Sequence, residues 1–185
     1  MSDFMKVFIN PGHAPNGVPD PGAVNSYNGL KEAIVASAVA KKLERYLVNA
    51  GVQVVGNLQH DELNVITDTA NNSGAEVFVS IHCNSGPASA EGTETFYYYN
   101  SDNGAKLAQC IQSQIVDSLD TCDRGIKPAQ PGVNGLYVLN NTTMTAVLVE
   151  LAFISNWEDC ILLEENQDDF ARAIARGITD YQLLV

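Results

Sequence analysis

The chain has 185 residues, 45% of them hydrophobic, and 22 acidic side chains against 10 basic ones set a formal charge of −12. That length predicts one domain with a core of its own, and the apolar content excludes a disordered chain. The shortage of Lys and Arg excludes nucleic acid as a partner and argues against attraction to anionic membranes.

In chain order, residues 6–10 (Lys6-Val7-Phe8-Ile9-Asn10) form a short buried-strand pattern that ends at Pro11-Gly12. A long loop follows, marked by Asn16-Gly17, Pro21-Gly22 and Asn28-Gly29. Over 30–49 the apolar residues Ile34, Val35, Ala38, Leu43, Tyr46 and Leu47 recur at helical spacing, and Ala50-Gly51 stops that helix. Residues 52–55 read as a strand, 62–72 as a helix, 76–81 as a buried strand, 92–99 as an alternating strand and 103–119 as a helix. Residues 137–139 and 146–151 read as the last strands, and 157–163 and 168–183 as closing helices.

This alternation predicts an α/β protein: a single three-layer α/β/α domain over 1–185, with a mixed, largely parallel central sheet. The loop before strand 92–99 has no helical pattern, so that strand is expected to add an antiparallel or mixed pair. No repeat or linker marks a domain boundary. No run of 18 apolar residues is present, so no membrane span is expected. Met1 to Lys6 has neither a basic leader nor an apolar stretch, so it does not read as a signal peptide. Cys83, Cys110, Cys122 and Cys160 lack CxxC spacing and read as free thiols of a protein made in the cytoplasm.

In open α/β sheets the functional groups gather beyond the carboxyl ends of the strands. His13 follows the first predicted strand, His82 ends the third, and Glu150 lies inside the apolar run Ala146-Val147-Leu148-Val149-Glu150-Leu151. Glu32 opens the first helix. Two imidazoles and one carboxylate, His13, Glu32 and His82, make a zinc site with an open fourth position. Glu150 is the carboxylate left over, and an ionised carboxylate in such a strand is costly unless it is paired or near a metal. A metal-polarised water with a carboxylate that takes and returns its proton suits amide hydrolysis. Spacing by itself leaves structural roles for the two histidines open, because no HExxH or CxxC pattern is present. Cys83 directly follows His82, so an extended backbone sends the two side chains to opposite faces. That argues against a Cys–His nucleophile.

The chain resembles the zinc-dependent type-3 N-acetylmuramoyl-L-alanine amidases of bacterial and phage cell-wall lysis, from Val7 to about Tyr181. The resemblance rests on Pro11-Gly12-His13, Asp20-Pro21-Gly22-Ala23, Glu32, Ser80-Ile81-His82-Cys83-Asn84, Gly92-Thr93-Glu94 and Leu148-Val149-Glu150-Leu151-Ala152-Phe153-Ile154-Ser155-Asn156. It implies a phosphorylase/hydrolase-like fold. It also implies one Zn²⁺ per chain held by His13, Glu32 and His82, with Glu150 as the catalytic carboxylate. The implied reaction cleaves the amide between the lactyl group of N-acetylmuramic acid and L-alanine in peptidoglycan. Asn84, Arg124 and Gly125 are expected to contact the muramyl peptide. No separate cell-wall-binding domain is expected, and the chain is expected to be a monomer that acts on the wall after release or lysis. Its charge suggests little long-range attraction to anionic wall polymers.

Three positions depart from the family pattern. Asn10 stands where the family often has Asp, which predicts a missing carboxylate beside the ligands. The family's usual Thr-Arg pair before the second helix is replaced near Leu58-Gln59-His60-Asp61, so His60 lies outside the motif and reads as a surface residue. Thr145 replaces a frequent Pro. A peptidoglycan-binding module without turnover would show a broken ligand or lack Glu150, and this chain shows neither. A zinc peptidase acting on other peptides stays open as the alternative.

Overall fold

The computed structural model describes residues 5–185. The reading of Met1 to Phe4 as free of a leader lies outside them. Six strands form one sheet: β1 (Lys6–Pro11), β2 (Gln53–Asn57), β3 (Val77–Asn84), β4 (Thr93–Tyr98), β5 (Asp123–Ala129) and β6 (Thr145–Phe153). Their order across the sheet is β2-β1-β3-β6-β4-β5. The pairs β1–β2, β1–β3, β3–β6 and β4–β5 are parallel, and β4–β6 is antiparallel. The expected antiparallel pair therefore exists, but β4 makes it with β6 and not with its chain neighbour β3.

Strand alternation divides the core between the two faces. Val7, Ile9, Val79, Ile81, Val147 and Val149 point to one side, where they pack against α1 (Glu32–Asn49), α3 (Asp102–Leu119) and α6 (Gln167–Gln182). Leu163 of α5 (Trp157–Glu165) joins the same cluster. Phe8, Phe78, Ala146 and Leu148 point to the other side, under α2 (Leu63–Asn72) and α4 (Tyr137–Asn141). These two helices are short, 10 and 5 residues against 18, 18 and 16 on the opposite face. The thinly covered face leaves the carboxyl ends of β3 and β6 open.

Two elements differ from expectation. Residues 137–139 are helical, because Leu136 O accepts the amides of Leu139 (3.1 Å) and Asn140 (3.0 Å) and the turn lays Val138 and Leu139 on the second core. Three apolar residues cannot distinguish a strand from a helix by periodicity. Residues 123–129 form an edge strand with no apolar alternation. Its Pro128 has no amide to donate, and an edge tolerates that.

Candidate metal centre and active site

Along β3 the row Phe78, Ser80, His82 shares a face with Ala146, Leu148, Glu150 of β6, and register pairs His82 with Glu150. Each row starts in the apolar core and reaches a titratable side chain as it nears the carboxyl end. Asn10 pairs with Ser80 one step deeper and is buried, accepting the Ser80 hydroxyl at 2.7 Å and donating to the carbonyls of Pro11 (3.1 Å) and Leu58 (3.0 Å). This residue is a core tie beneath the site.

Glu32 reaches the same point from the opposite layer, as the first residue of α1. Its Oε1 lies 2.9 Å from His13 Nε2 and 2.8 Å from His82 Nδ1. Oε1 also accepts the Cys83 amide (3.0 Å), and Oε2 accepts the Ala23 amide (2.8 Å). Ligand atoms of His13, Glu32 and His82 lie within 4.8 Å of one another, and no other such group occurs among the described residues. Burial opposes charge on His13, but hydrogen bonds and proximity to Glu32 and Asp20 outweigh it and raise its pKa to about 9. Burial likewise opposes charge on Glu32, yet hydrogen bonds from His13 and His82 hold its carboxyl well below the usual range. The cluster is built to hold positive charge next to Glu32.

The carboxylate beside His13 that Asn10 lacks is present elsewhere. Asp20 Oδ2 accepts from His13 Nδ1 at 2.7 Å, and its Oδ1 accepts the Gly22 amide at 2.9 Å. With Nδ1 turned to Asp20, the His13 ring presents Nε2 to Glu32. His13 has φ +65, a left-handed conformation uncommon for a residue with a Cβ. The Ala14 amide bonds Asp20 O at 3.0 Å, and Gln59 donates to the Gly12 carbonyl at 3.0 Å, so both sides of the residue are anchored. Gly12 and Gly22 must lack side chains: a Cβ at Gly12 would run into the His82 ring, and one at Gly22 would lie 2.6 Å from Glu32 Oε2.

Glu150 sits beside this cluster in a central strand. Its Oε2 is buried without a hydrogen-bond partner, alone in that respect among the described residues. Burial, aided by the charges of Glu32 and Glu94, raises its pKa to about 7 despite the opposing histidines. Glu94 of β4 lies directly across from Glu150. It accepts Asn84 Nδ2 at 2.6 Å and Arg124 Nε at 3.0 Å, and the Arg124 guanidinium lies 4.8 Å over the Phe153 ring. Asn84 and Arg124 therefore meet through Glu94 close to Glu150. Gly125 lies on edge strand β5 with φ +76, its amide held by Asp123 at 2.8 Å.

A cavity of about 300 Å³ adjoins His13 and His82, walled by Leu63, Tyr137 and Leu148. His60, a partly exposed surface residue, also lines it. Cys83 is buried in the core on the far side of the strand, as alternation predicts, and burial pushes its thiol up. All four cysteines are free. Three contributors were not singled out from the sequence: Asp20, Glu94 and Gln59. Asp20 and Glu94 stand inside the recognised motifs, which was the available signal; nothing local marks Gln59.

The family profile described as N-acetylmuramoyl-L-alanine amidase matches residues 7–180. An uncharacterized Bacillus subtilis protein, YqiI, is 40% identical over 95% of this chain and 84% of its own length. The N-acetylmuramoyl-L-alanine amidase LytC of Bacillus subtilis is 35% identical over 95% of this chain, which spans 35% of that protein. The crystal structure of an N-acetylmuramoyl-L-alanine amidase from Clostridium difficile 630 superposes with a TM-score of 0.87 at 34% identity, over 98% of both chains. The profile, the relatives and the shared α/β architecture agree, and the chain belongs to the N-acetylmuramoyl-L-alanine amidase family, as an enzyme of that class acting on peptidoglycan.

Proposed function

We propose that this chain is a zinc amidase that cleaves the bond between the lactyl group of N-acetylmuramic acid and L-alanine. The observation that carries the reading is the His13–Glu32–His82 cluster with the buried, unpartnered Glu150 carboxylate beside it. Two imidazoles and a carboxylate with a free face are the donor set of a hydrolytic zinc site, so the residues fit the ion. When bound, zinc supplies Lewis acidity toward the scissile carbonyl and lowers the pKa of water.

The chain's own groups do the rest. His13, Glu32 and His82 would hold the ion, with Asp20 accepting from His13 Nδ1 and so orienting its Nε2 toward the site. Glu150, with its pKa near neutrality, takes a proton from the attacking water and delivers it to the departing alanine nitrogen. Its lack of a fixed partner leaves Oε2 free for that exchange. Glu94 holds Asn84 and Arg124 beside it, so those side chains border the muramyl peptide. The apolar cavity next to His13 and His82 takes substrate groups flanking the scissile bond. Action on the wall follows from the substrate, and one zinc per monomeric chain is the expected stoichiometry.

The test is incubation of zinc-loaded protein with purified peptidoglycan and identification of the products. New L-alanine amino termini in step with free lactyl carboxyls are expected, and Glu150→Gln is expected to keep zinc and lose turnover. Peptidoglycan left without new amino termini at full zinc occupancy refutes the reading. New amino termini from other peptides only would favour a general zinc peptidase.

A further inference from the structure

Tyr27 and Trp157 are 75% and 57% exposed, and they pack edge to face with ring centroids 6.1 Å apart. Single apolar side chains are ordinary on a surface, but two large rings paired in water ask for an explanation. Their supports are rigid. Asn25 is buried, donates to the Ile154 carbonyl at 2.7 Å, and accepts the amides of Tyr27 (2.8 Å) and Asn28 (3.1 Å). Asn28 reaches Glu164 of α5 at 3.2 Å. Asn156 caps α5 by accepting the Glu158 amide at 2.9 Å, and it donates to the Ala88 carbonyl at 2.9 Å. Trp157 is the first residue of that helix.

Both rings also stand on segments continuous with the metal centre. Tyr27 belongs to the loop whose Gly22 abuts His13 and whose Ala23 amide bonds Glu32. Trp157 closes the turn that leaves β6 just after Phe153, the ring beneath Arg124. The hydrogen bond from Asn25 to Ile154 locks the two segments together.

We propose that Tyr27 and Trp157 form a stacking platform for the N-acetylhexosamine rings of the glycan strand. The choice of ligand rests on the amidase reading. Two aromatic side chains offer at most a few hundred Å², which suits one or two sugar rings and falls short of the roughly 800 Å² per partner of a stable protein interface. A pyranose ring presents a face of C–H groups to an aromatic ring and hydroxyls at its rim. The surroundings here, Asn28, Glu158 and Glu164, are polar and accept hydrogen bonds. A neutral sugar also escapes the repulsion that a chain with charge −12 exerts on anionic polymers.

Trp157 is the single tryptophan of the chain, so its fluorescence reports on the platform directly. The experiment titrates the full zinc-loaded chain with soluble β-1,4-linked N-acetylglucosamine oligomers, which carry the ring and acetamido group without a scissile amide. A saturable shift of Trp157 emission is expected, with affinity about fivefold weaker in Tyr27→Ala, as loss of one aromatic contact predicts. By calorimetry, Trp157→Ala is expected to weaken binding by a similar factor and Trp157→Phe to retain most of it. Emission that stays unchanged through the titration, or equal affinities in wild type and Trp157→Ala, overturns the proposal. The titration involves no turnover. Emission that responds in a protein releasing no L-alanine termini refutes the amidase reading alone; an active amidase with silent emission refutes the platform alone.

Discussion

Glu150→Gln is expected to stabilise the metal-free protein while it abolishes turnover. Burial in β6 moves the Glu150 pKa from an ordinary 4.5 to about 7. At about 1.4 kcal/mol per pH unit this corresponds to roughly 3 kcal/mol of unfavourable free energy for the ionised folded chain. The sign follows from proton binding. Below about pH 4.5 folded and unfolded chains both hold the proton, so no cost arises. Between about 4.5 and 7 the unfolded chain has released it while the folded chain keeps it, so this group makes stability fall as pH rises. Glutamine keeps the shape and never ionises. The stability gap between Glu150→Gln and wild type is therefore expected near zero at about pH 4 and near 3 kcal/mol at about pH 8. Asp20 and Glu32, whose carboxyl pKa values are lowered, act in the opposite direction, and both proteins share that contribution. Urea unfolding followed by circular dichroism across this range, with a chelator present, measures the difference. Zinc should narrow the gap, because the cation stabilises the Glu150 carboxylate. A gap independent of pH, or a wild type more stable than the variant at pH 8, refutes the account of Glu150 as a buried, uncompensated acid.

Other outcomes follow from the same geometry. His82→Ala removes one of the three clustered side chains that could hold a metal, and metal analysis should show zinc falling from one per chain to near none. Asp20→Asn weakens the acceptor that fixes the His13 tautomer and should lower zinc affinity about 10- to 100-fold in chelator competition; unchanged affinity would remove Asp20 from that role. Gly177→Ala places a Cβ 2.6 Å from Ile111 Cα, where α6 crosses α3, and should cost about 1–3 kcal/mol by overpacking in urea melts.

Much of the architecture is legible along the chain, because apolar spacing responds to which faces are covered. The strand through Val77, the long helix after Glu32 and the closing helices all follow that pattern. Residues 137–139 did not, since three apolar residues fit the single turn of α4 as well as a strand. Edge strand β5 was hidden by Arg124, Gly125, Lys127 and Pro128, which an outer position accepts and a central one would not.

For the site, the sequence alone determined which side chains stand at strand ends: His13, His82 and Glu150. Alternation also determined that Cys83 faces away from His82, a local consequence of the pleat. Only the tertiary structure decided what those groups meet. Insertion of β4 next to β6 sets Glu94 opposite Glu150 and brings Arg124 with it. The fold-back of the loop after β1 delivers Asp20 to His13, replacing the carboxylate that Asn10 cannot supply. The short α2 and α4 leave the strand ends open on one face, while the flanking β3 and β4 help bury Glu150 Oε2, and burial raises its pKa. These are meetings between distant segments, and periodicity along a chain records which way a side chain faces, not which segment arrives opposite it.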